Sequence, residues 1–300
     1  MRTLWSWLLG HLAVGLMWSL HFLPLPVLSR MGEGFGWLGW HLVRPRRRVA
    51  LINLAKCFPH WSGAERRRVA RQHFQLFGRF ILEHGIQWWA PRARLDKLVH
   101  LEGLEHLDAL RGNPVIVLAP HFLGLEMGGI RLSSDRPIAT MYQSQRNQVL
   151  DRAIWAGRER YRSLFATSRV FWYRDGMRAV ARTVKQGVPF YVLPDMDLGA
   201  RDSVFAPFFG IPTATVTSVA WLARLTGAWV VPCVTRMLPG GQGYRARFFP
   251  PWDNYPTGDP VADARRMNAF IEQQVMEQPE QYYWLHKRFK TRPPGEASFY

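Results

Sequence analysis

The sequence predicts an α/β fold, a mainly parallel central sheet flanked by helices, with an N-terminal membrane helix in front. Three observations carry this. Beyond residue 100, short apolar runs alternate with helical stretches, the pattern of strands joined by crossover helices. At the other end, Thr3 to Ser29 is a run of 27 residues with no Asp, Glu, Lys or Arg. Between them, Arg30 to Lys97 holds 14 basic and four acidic residues, +10 of the chain's net +17. A chain of 300 residues buries a sizeable core, and 48% hydrophobic residues with 14 Trp exclude disorder. With no repeat or linker in view, the economical division is an anchor at 1–30 and one catalytic-size domain at 31–300, whose region at about 31–98 is helical, basic and membrane-facing.

The uncharged run LWSWLLGHLAVGLMWSLHFLPLPVL is long enough for a bilayer core of about 30 Å. Only Arg2 precedes it, and Pro24 and Pro26 stand where a cleavage site needs small residues, so the run is retained. Trp5, Trp7 and Trp18 suit an interfacial belt, while Gly10, His11, Gly15 and His21 suit a helix lying in one leaflet; both arrangements stay open. Arg30, Arg44, Arg46, Arg47 and Arg48 follow, and the positive-inside rule then puts the rest of the chain in the cytoplasm. GEGFGWLGWHLV reads as a re-entrant or interface-lying segment. Ser62-x-x-Glu65 is a capping box for a long helix ending at Trp89, with Val69, Phe74, Phe77, Phe80, Ile81 and Trp88 in helical period.

Further on, PVIVLAP, PIATMY, VPFYVLP and AWVVPCVTR read as strands. FLGLEMGGIRL, NQVLDRAIWAGRERYR and a stretch around ATVTSVAWLARLTG read as helices. Asp175 is placed to cap DGMRAVARTVKQ, Gly187 and Gly227 to end helices, and Asp259 with Pro260 to open DPVADARRMNAFIEQQVMEQ. Cys57 and Cys233, without a CxxC or Cys/His cluster, argue against a disulfide framework and a structural zinc; no metal or cofactor is expected. The charge alone fits nucleic acid, anionic lipid or an acidic protein, but its placement beside the uncharged run and the lack of a nucleic-acid motif favour a membrane surface.

His121 and Glu126 follow the first of these strands at its carboxyl end, where open α/β sheets bind ligands. With His121 in the turn and Glu126 on the first helical turns, the carboxylate accepts from one imidazole nitrogen and leaves the other as a base. Such a dyad deprotonates a bound hydroxyl without a metal or nucleophilic side chain. The same spacing also occurs by chance around structural histidines.

His121-x4-Glu126, YQSQRNQVLD, PDMDLGARDSVFAPFFGIPTATVTS and PEQYYWLHKRFKTRP, in that order, resemble the bacterial lipid A biosynthesis acyltransferases, the late lauroyl and myristoyl transferases. That family is in turn similar to the glycerolipid acyltransferases in its α/β fold and its His-x4-acid pair. The resemblance implies a protein on the cytoplasmic face of the bacterial inner membrane. There it would move a fatty acyl chain from acyl carrier protein to a hydroxyl of a tetra-acylated, Kdo-bearing lipid A precursor. His121 would be the base and Glu126 its orienting partner, with backbone N–H groups of the strand–helix turn or an Arg holding the oxyanion. Gln143 departs from the Arg usual after the motif's Tyr; Arg146 is placed to stand in, and Asn147 and Asp151 match. Arg146, Asn147, Arg174, Asp195 and Asp197 are the expected substrate-binding residues, while capping and turn chemistry account for Asn147, Asp195 and Asp197 almost as well. His286 and Arg288 also match the family, or sit at a basic helix end. Of the 39 basic residues, 34 are Arg, whose planar fork suits a phosphorylated acceptor. Two alternatives stand beside this reading. One is an acyl-CoA-dependent lysophospholipid or glycolipid acyltransferase; the other is a membrane-tethered basic binding protein, indifferent to loss of His121 or Glu126.

Overall fold

The computed structural model describes residues 2–172 and 175–300. Its N-terminal part is helical: α1 (Arg2–Leu20), α2 (Leu25–Leu42), α3 (Arg44–Cys57), α4 (Gly63–Trp89) and α5 (Arg92–Leu98). Prolines punctuate it, since Pro24 stands at the N-cap of α2 with Pro26 in its first turn, and Pro45 lies in the first turn of α3. Ser62 and Glu65 form both bonds of the expected capping box ahead of α4. The Gly-rich stretch read as re-entrant is a continuous helix, α2, and its glycines explain how it packs. A Cβ on Gly36 would collide with the Phe74 carbonyl oxygen, and one on Gly78 with that of Gly32, so α2 and α4 cross backbone to backbone.

The expected membrane-spanning helix needs correction. Among the described residues no helix is long and apolar enough to cross a membrane. At 19 residues α1 is about 28 Å long, and it carries His11 and two serines besides its apolar residues. Nor is the segment 1–30 set apart: Gly10 of α1 abuts Asn147 and Val149, Gly85 of α4 abuts Met17, and α2 begins within the segment.

A seven-stranded sheet follows, from β1 (Val99–Glu102), β2 (Val115–Leu118), β3 (Ala139–Tyr142), β4 (Arg169–Trp172), β5 (Phe190–Val192), β8 (Trp229–Met237) and β9 (Tyr244–Phe248), in the order β1-β9-β8-β2-β5-β3-β4. Every neighbouring pair is parallel except β8 with β9. β6 (Ser203–Phe208) and β7 (Ile211–Val216) form a separate hairpin, turned by Phe209 and Gly210, both at positive φ. The remaining helices are α6 (Glu105–Asp108), α7 (Leu125–Asp135), α8 (Gln148–Arg162), α9 (Met177–Lys185), α10 (Ser218–Thr226) and α11 (Pro260–Glu277). ATVTS, expected at the start of a helix, mostly belongs to β7, so α10 begins later than its apolar pattern suggested. Asp175 does not cap α9: Gly176 holds that place, and the Asp175 carboxylate accepts from Trp172 N at 2.8 Å. Asp259 caps α11, and Gly227 ends α10 in the left-handed conformation, both as expected.

The core lies on both faces of the sheet. Ile116, Leu118, Phe190, Val230 and Val234 from strands meet Val180, Leu222, Met267 and Ile271 from α9, α10 and α11. A second cluster joins Leu28, Leu82 and Ile86 to Met127 and Tyr244, seating the N-terminal helices on the sheet. Cys57 and Cys233 are buried free thiols, and burial pushes Cys233 up to about 12.

A buried histidine sets an acid limit on this packing. His73 on α4 bonds through Nδ1 to the Glu280 carbonyl at 2.9 Å, its Nε2 has no hydrogen-bond partner among the described residues, and burial lowers it to about 4. The unfolded chain, with His near 6.5, binds a proton here that the native state refuses, so this contribution to stability is complete above about pH 6.5 and is lost as the pH falls towards 4. From pH 7 to pH 5 the expected loss is about 2 kcal/mol from this residue. Denaturant titrations at the two pH values check it: His73→Gln should lose markedly less stability on acidification than the native sequence.

Candidate active site

Parallel strands β2 and β5 are adjacent, so the residues following their carboxyl ends meet. His121 follows β2 and Asp195 follows β5. The Asp195 carboxylate accepts from His121 Nδ1 at 2.6 Å and from His121 N at 3.0 and 3.2 Å. Asp195 is 2% exposed. Burial pushes its carboxyl up, but His121 and Arg288 outweigh that and hold it below the usual carboxylate range. With Nδ1 committed, Nε2 of His121 is left without a hydrogen-bond partner among the described residues, on a partly exposed ring. Tyr283 stacks against that ring, and its N–H donates to the His121 carbonyl at 2.9 Å.

The expected pairing of His121 with Glu126 is therefore corrected in its partner. Glu126 lies in the first turn of α7, and α7 is pressed onto β8 where a Cβ on Gly128 would collide with the Thr235 hydroxyl. Its carboxylate meets Arg158 Nη2 of α8 at 3.2 Å and His84 Nε2 of α4 at 3.9 Å. Burial pushes Glu126 up, while Arg158, His84 and His121 pull it further the other way, so it stays an anion within electrostatic reach of His121. Glu126 and Arg158 border a mainly apolar cleft also lined by Ile130, Ile138, Val170 and Leu193.

The other expected residues serve different ends. Asn147 caps α8, accepting from Val149 N at 3.0 Å and Leu150 N at 3.1 Å, while its amide donates to Ser6 O at 2.7 Å. Asp151 accepts from the Tyr142 hydroxyl and from Gln145 N, both at 2.6 Å, which fixes the loop. Gln143 and Arg146 are exposed in that loop. Arg174 lies outside the described residues. Asp197 binds the C-terminal segment, accepting from Thr291 N at 2.6 Å and Thr291 Oγ1 at 2.7 Å. His286 is not on a helix end; its Nε2 accepts from Asp197 N at 2.9 Å, and burial with the charges of Arg288 and His121 lowers it to about 4. Arg288 is buried, donating to the Ala214 carbonyl at 2.8 Å. Arg158 and His84 escaped the sequence reading, because nothing local to them marks a site; only the packing of α4 and α8 against α7 does, while Tyr283 lies in the C-terminal motif without being singled out there.

A buried aspartate on one imidazole nitrogen of a partly exposed histidine is an arrangement that can serve as a general base. Residues 1–291 match the family model for bacterial lipid A biosynthesis acyltransferases. Among similar proteins of Escherichia coli (strain K12) are a lipid A biosynthesis lauroyltransferase, 34% identical over 97% of this chain and 94% of that protein, and a palmitoleoyltransferase, 33% identical over 96% and 92%. A myristoyltransferase of the same strain is 32% identical over 92% of this chain and 83% of that protein. With a family model spanning nearly its whole length and relatives above 30% identity covering almost all of it, this chain belongs to the bacterial lipid A biosynthesis acyltransferases and is an acyltransferase.

Proposed function

We propose that this acyltransferase moves a fatty acyl chain from the thioester of acyl carrier protein to a hydroxyl of a Kdo-bearing lipid A precursor, at the cytoplasmic face of the bacterial inner membrane. The observation that carries the chemistry is the His121–Asp195 pair; Glu126, five residues on, borders the apolar cleft. His121 Nε2 takes the hydroxyl proton as the oxygen attacks the thioester carbonyl carbon. The tetrahedral oxyanion then collapses, the C–S bond breaks, and the imidazolium returns its proton to the leaving thiolate, giving an ester and a free thiol. Asp195 holds the tautomer and stabilises the imidazolium. Glu126 adds a second negative charge that acts on that cation and holds Arg158 against the cleft, whose apolar walls suit an acyl chain.

Two surface features support membrane work. Trp5, Trp7, Leu12 and Trp18 of α1 and Trp37 and Leu42 of α2 are exposed large apolar side chains, a surface that soluble monomers seldom carry. Close in sequence, Arg44, Arg46 and Arg48 are exposed and form no ion pair within 4 Å among the described residues, as suits anionic headgroups. Such a helix lies in one leaflet rather than across two. Supplying purified enzyme in vesicles with acyl carrier protein thioesters or acyl-CoA, and a lipid A precursor or a lysophospholipid, tests donor and acceptor together by product mass. The proposal expects the carrier-protein thioester and the lipid A precursor to be the productive pair; efficient transfer from acyl-CoA to the lysophospholipid alone would overturn it.

A further inference from the structure

The proposed transfer needs a donor for the oxyanion, and the backbone of the strand–helix turn is largely spoken for. His121 N donates to Asp195, Phe122 N to the Pro120 carbonyl at 2.7 Å, and Leu123 N to the Gln281 carbonyl at 2.9 Å. Arg158, the nearby guanidinium, is held by Glu126. The C-terminal segment offers another group. It runs alongside the histidine through the Tyr283 N–His121 O bond and the Phe122–Tyr282 bridge. The Asn53 amide then fixes it by donating to the Trp284 and His286 carbonyls, both at 2.8 Å. His286 thus emerges from a braced backbone, three residues past the Tyr283 N–His121 O bond, and its ring is bonded by the backbone N–H two residues past Asp195.

The hydrogen bond from Asp197 N fixes the tautomer of His286. A backbone N–H can only donate, so Nε2 is the unprotonated nitrogen and Nδ1 carries the hydrogen. Nδ1 has no hydrogen-bond partner among the described residues. We infer that His286 is a catalytic residue, its Nδ1–H donating to the thioester carbonyl oxygen as that oxygen becomes an oxyanion. The inference rests on the proposed transfer with His121 as base. Burial and neighbouring charge keep the ring neutral at physiological pH, so it polarises the carbonyl as a neutral donor without competing with His121 for the hydroxyl proton.

Two replacements separate this from a purely structural role. The side-chain amide of Asn reaches the position of Nδ1 and that of Gln the position of Nε2, so His286→Asn keeps a donor towards the site and His286→Gln keeps an acceptor for Asp197 N–H. Kinetics of vesicle-bound full-length enzyme with a carrier-protein thioester should show kcat reduced about 10²–10³-fold in His286→Ala and His286→Gln, with KM nearly unchanged, and restored to within about tenfold in His286→Asn. Rescue by Gln and not by Asn, or native kcat in His286→Ala, would overturn the inference. Should a variant fail to fold, nitrogen shifts of ¹⁵N-histidine in the native enzyme still decide it: a protonated Nδ1 is expected for His286, and a protonated Nε2 would refute it. Absence of transfer by the native enzyme would instead count against the proposed function itself.

Discussion

Replacing Asp195 by Asn should lower kcat by about 10³–10⁴-fold with little change in fold, the scale known for the same exchange in a Ser-His-Asp triad. The reason is local. The carboxylate now accepts from His121 Nδ1, which keeps Nε2 free to take a proton. An Asn amide turned towards Nδ1 donates instead, forces the hydrogen onto Nε2, and removes the base while preserving the volume. It also removes the negative charge that stabilises the imidazolium in a site where Asp195 is fully buried. Glu126→Gln takes away a charge that acts on the histidine but not the bond that sets its tautomer, so its loss should be no greater than that of Asp195→Asn. Steady-state kinetics with the two variants side by side check this. Near-native turnover in Asp195→Asn with collapse in Glu126→Gln would return the orienting role to Glu126.

Glu83→Ala should cost about 3–5 kcal/mol of stability, the penalty for stranding a buried charge. Glu83 and Arg79 are each 1% exposed and bonded at 2.8 Å. The same carboxylate accepts from Ser29 Oγ of α2 at 2.8 Å and from the Tyr244 hydroxyl of β9, while Arg79 Nη1 donates to the Leu238 carbonyl at 3.1 Å. One carboxylate therefore ties α2, α4 and the β9 edge of the sheet together. Its removal leaves a guanidinium in the interior with no counter-charge, and thermal melts should fall by roughly 6–10 °C for a chain of this size. A double variant, Arg79→Met with Glu83→Leu, should recover much of the loss, because apolar groups of similar volume need no partner.

Much of the fold was legible because its signals are local. The runs that became β2, β3, β5 and β8 are short and apolar between turn residues, and the capping box ahead of α4 is a two-residue signal. β9 was missed although YRARF alternates buried and exposed positions, because its arginines hide the strand in a chain already rich in Arg. β6 and β7 were missed because their hairpin pairs only with itself, outside the alternation of the main sheet. The place of His121 at the carboxyl end of a strand was legible. Its hydrogen-bond partner was not, since Asp195 lies 74 residues away and reaches the histidine only through strand order, which puts β5 beside β2. The nearby Glu126 offered a spacing that looked sufficient, but five residues along the chain it reaches Arg158 and His84 instead. The N-terminal run was legible as uncharged and helical, whereas its folding back onto α4 and α8 depends on glycines whose contacts are far away in sequence.

The central claim is that His121 catalyses acyl transfer to a lipid A precursor. Its most direct test is mass spectrometry of the lipid after incubating vesicle-bound native enzyme, or folded and vesicle-bound His121→Ala, with a carrier-protein thioester and a tetra-acylated Kdo-bearing precursor. One added acyl mass is expected with the native enzyme, and a rate lower by about 10²–10⁴-fold with His121→Ala. Near-native addition by His121→Ala would contradict it.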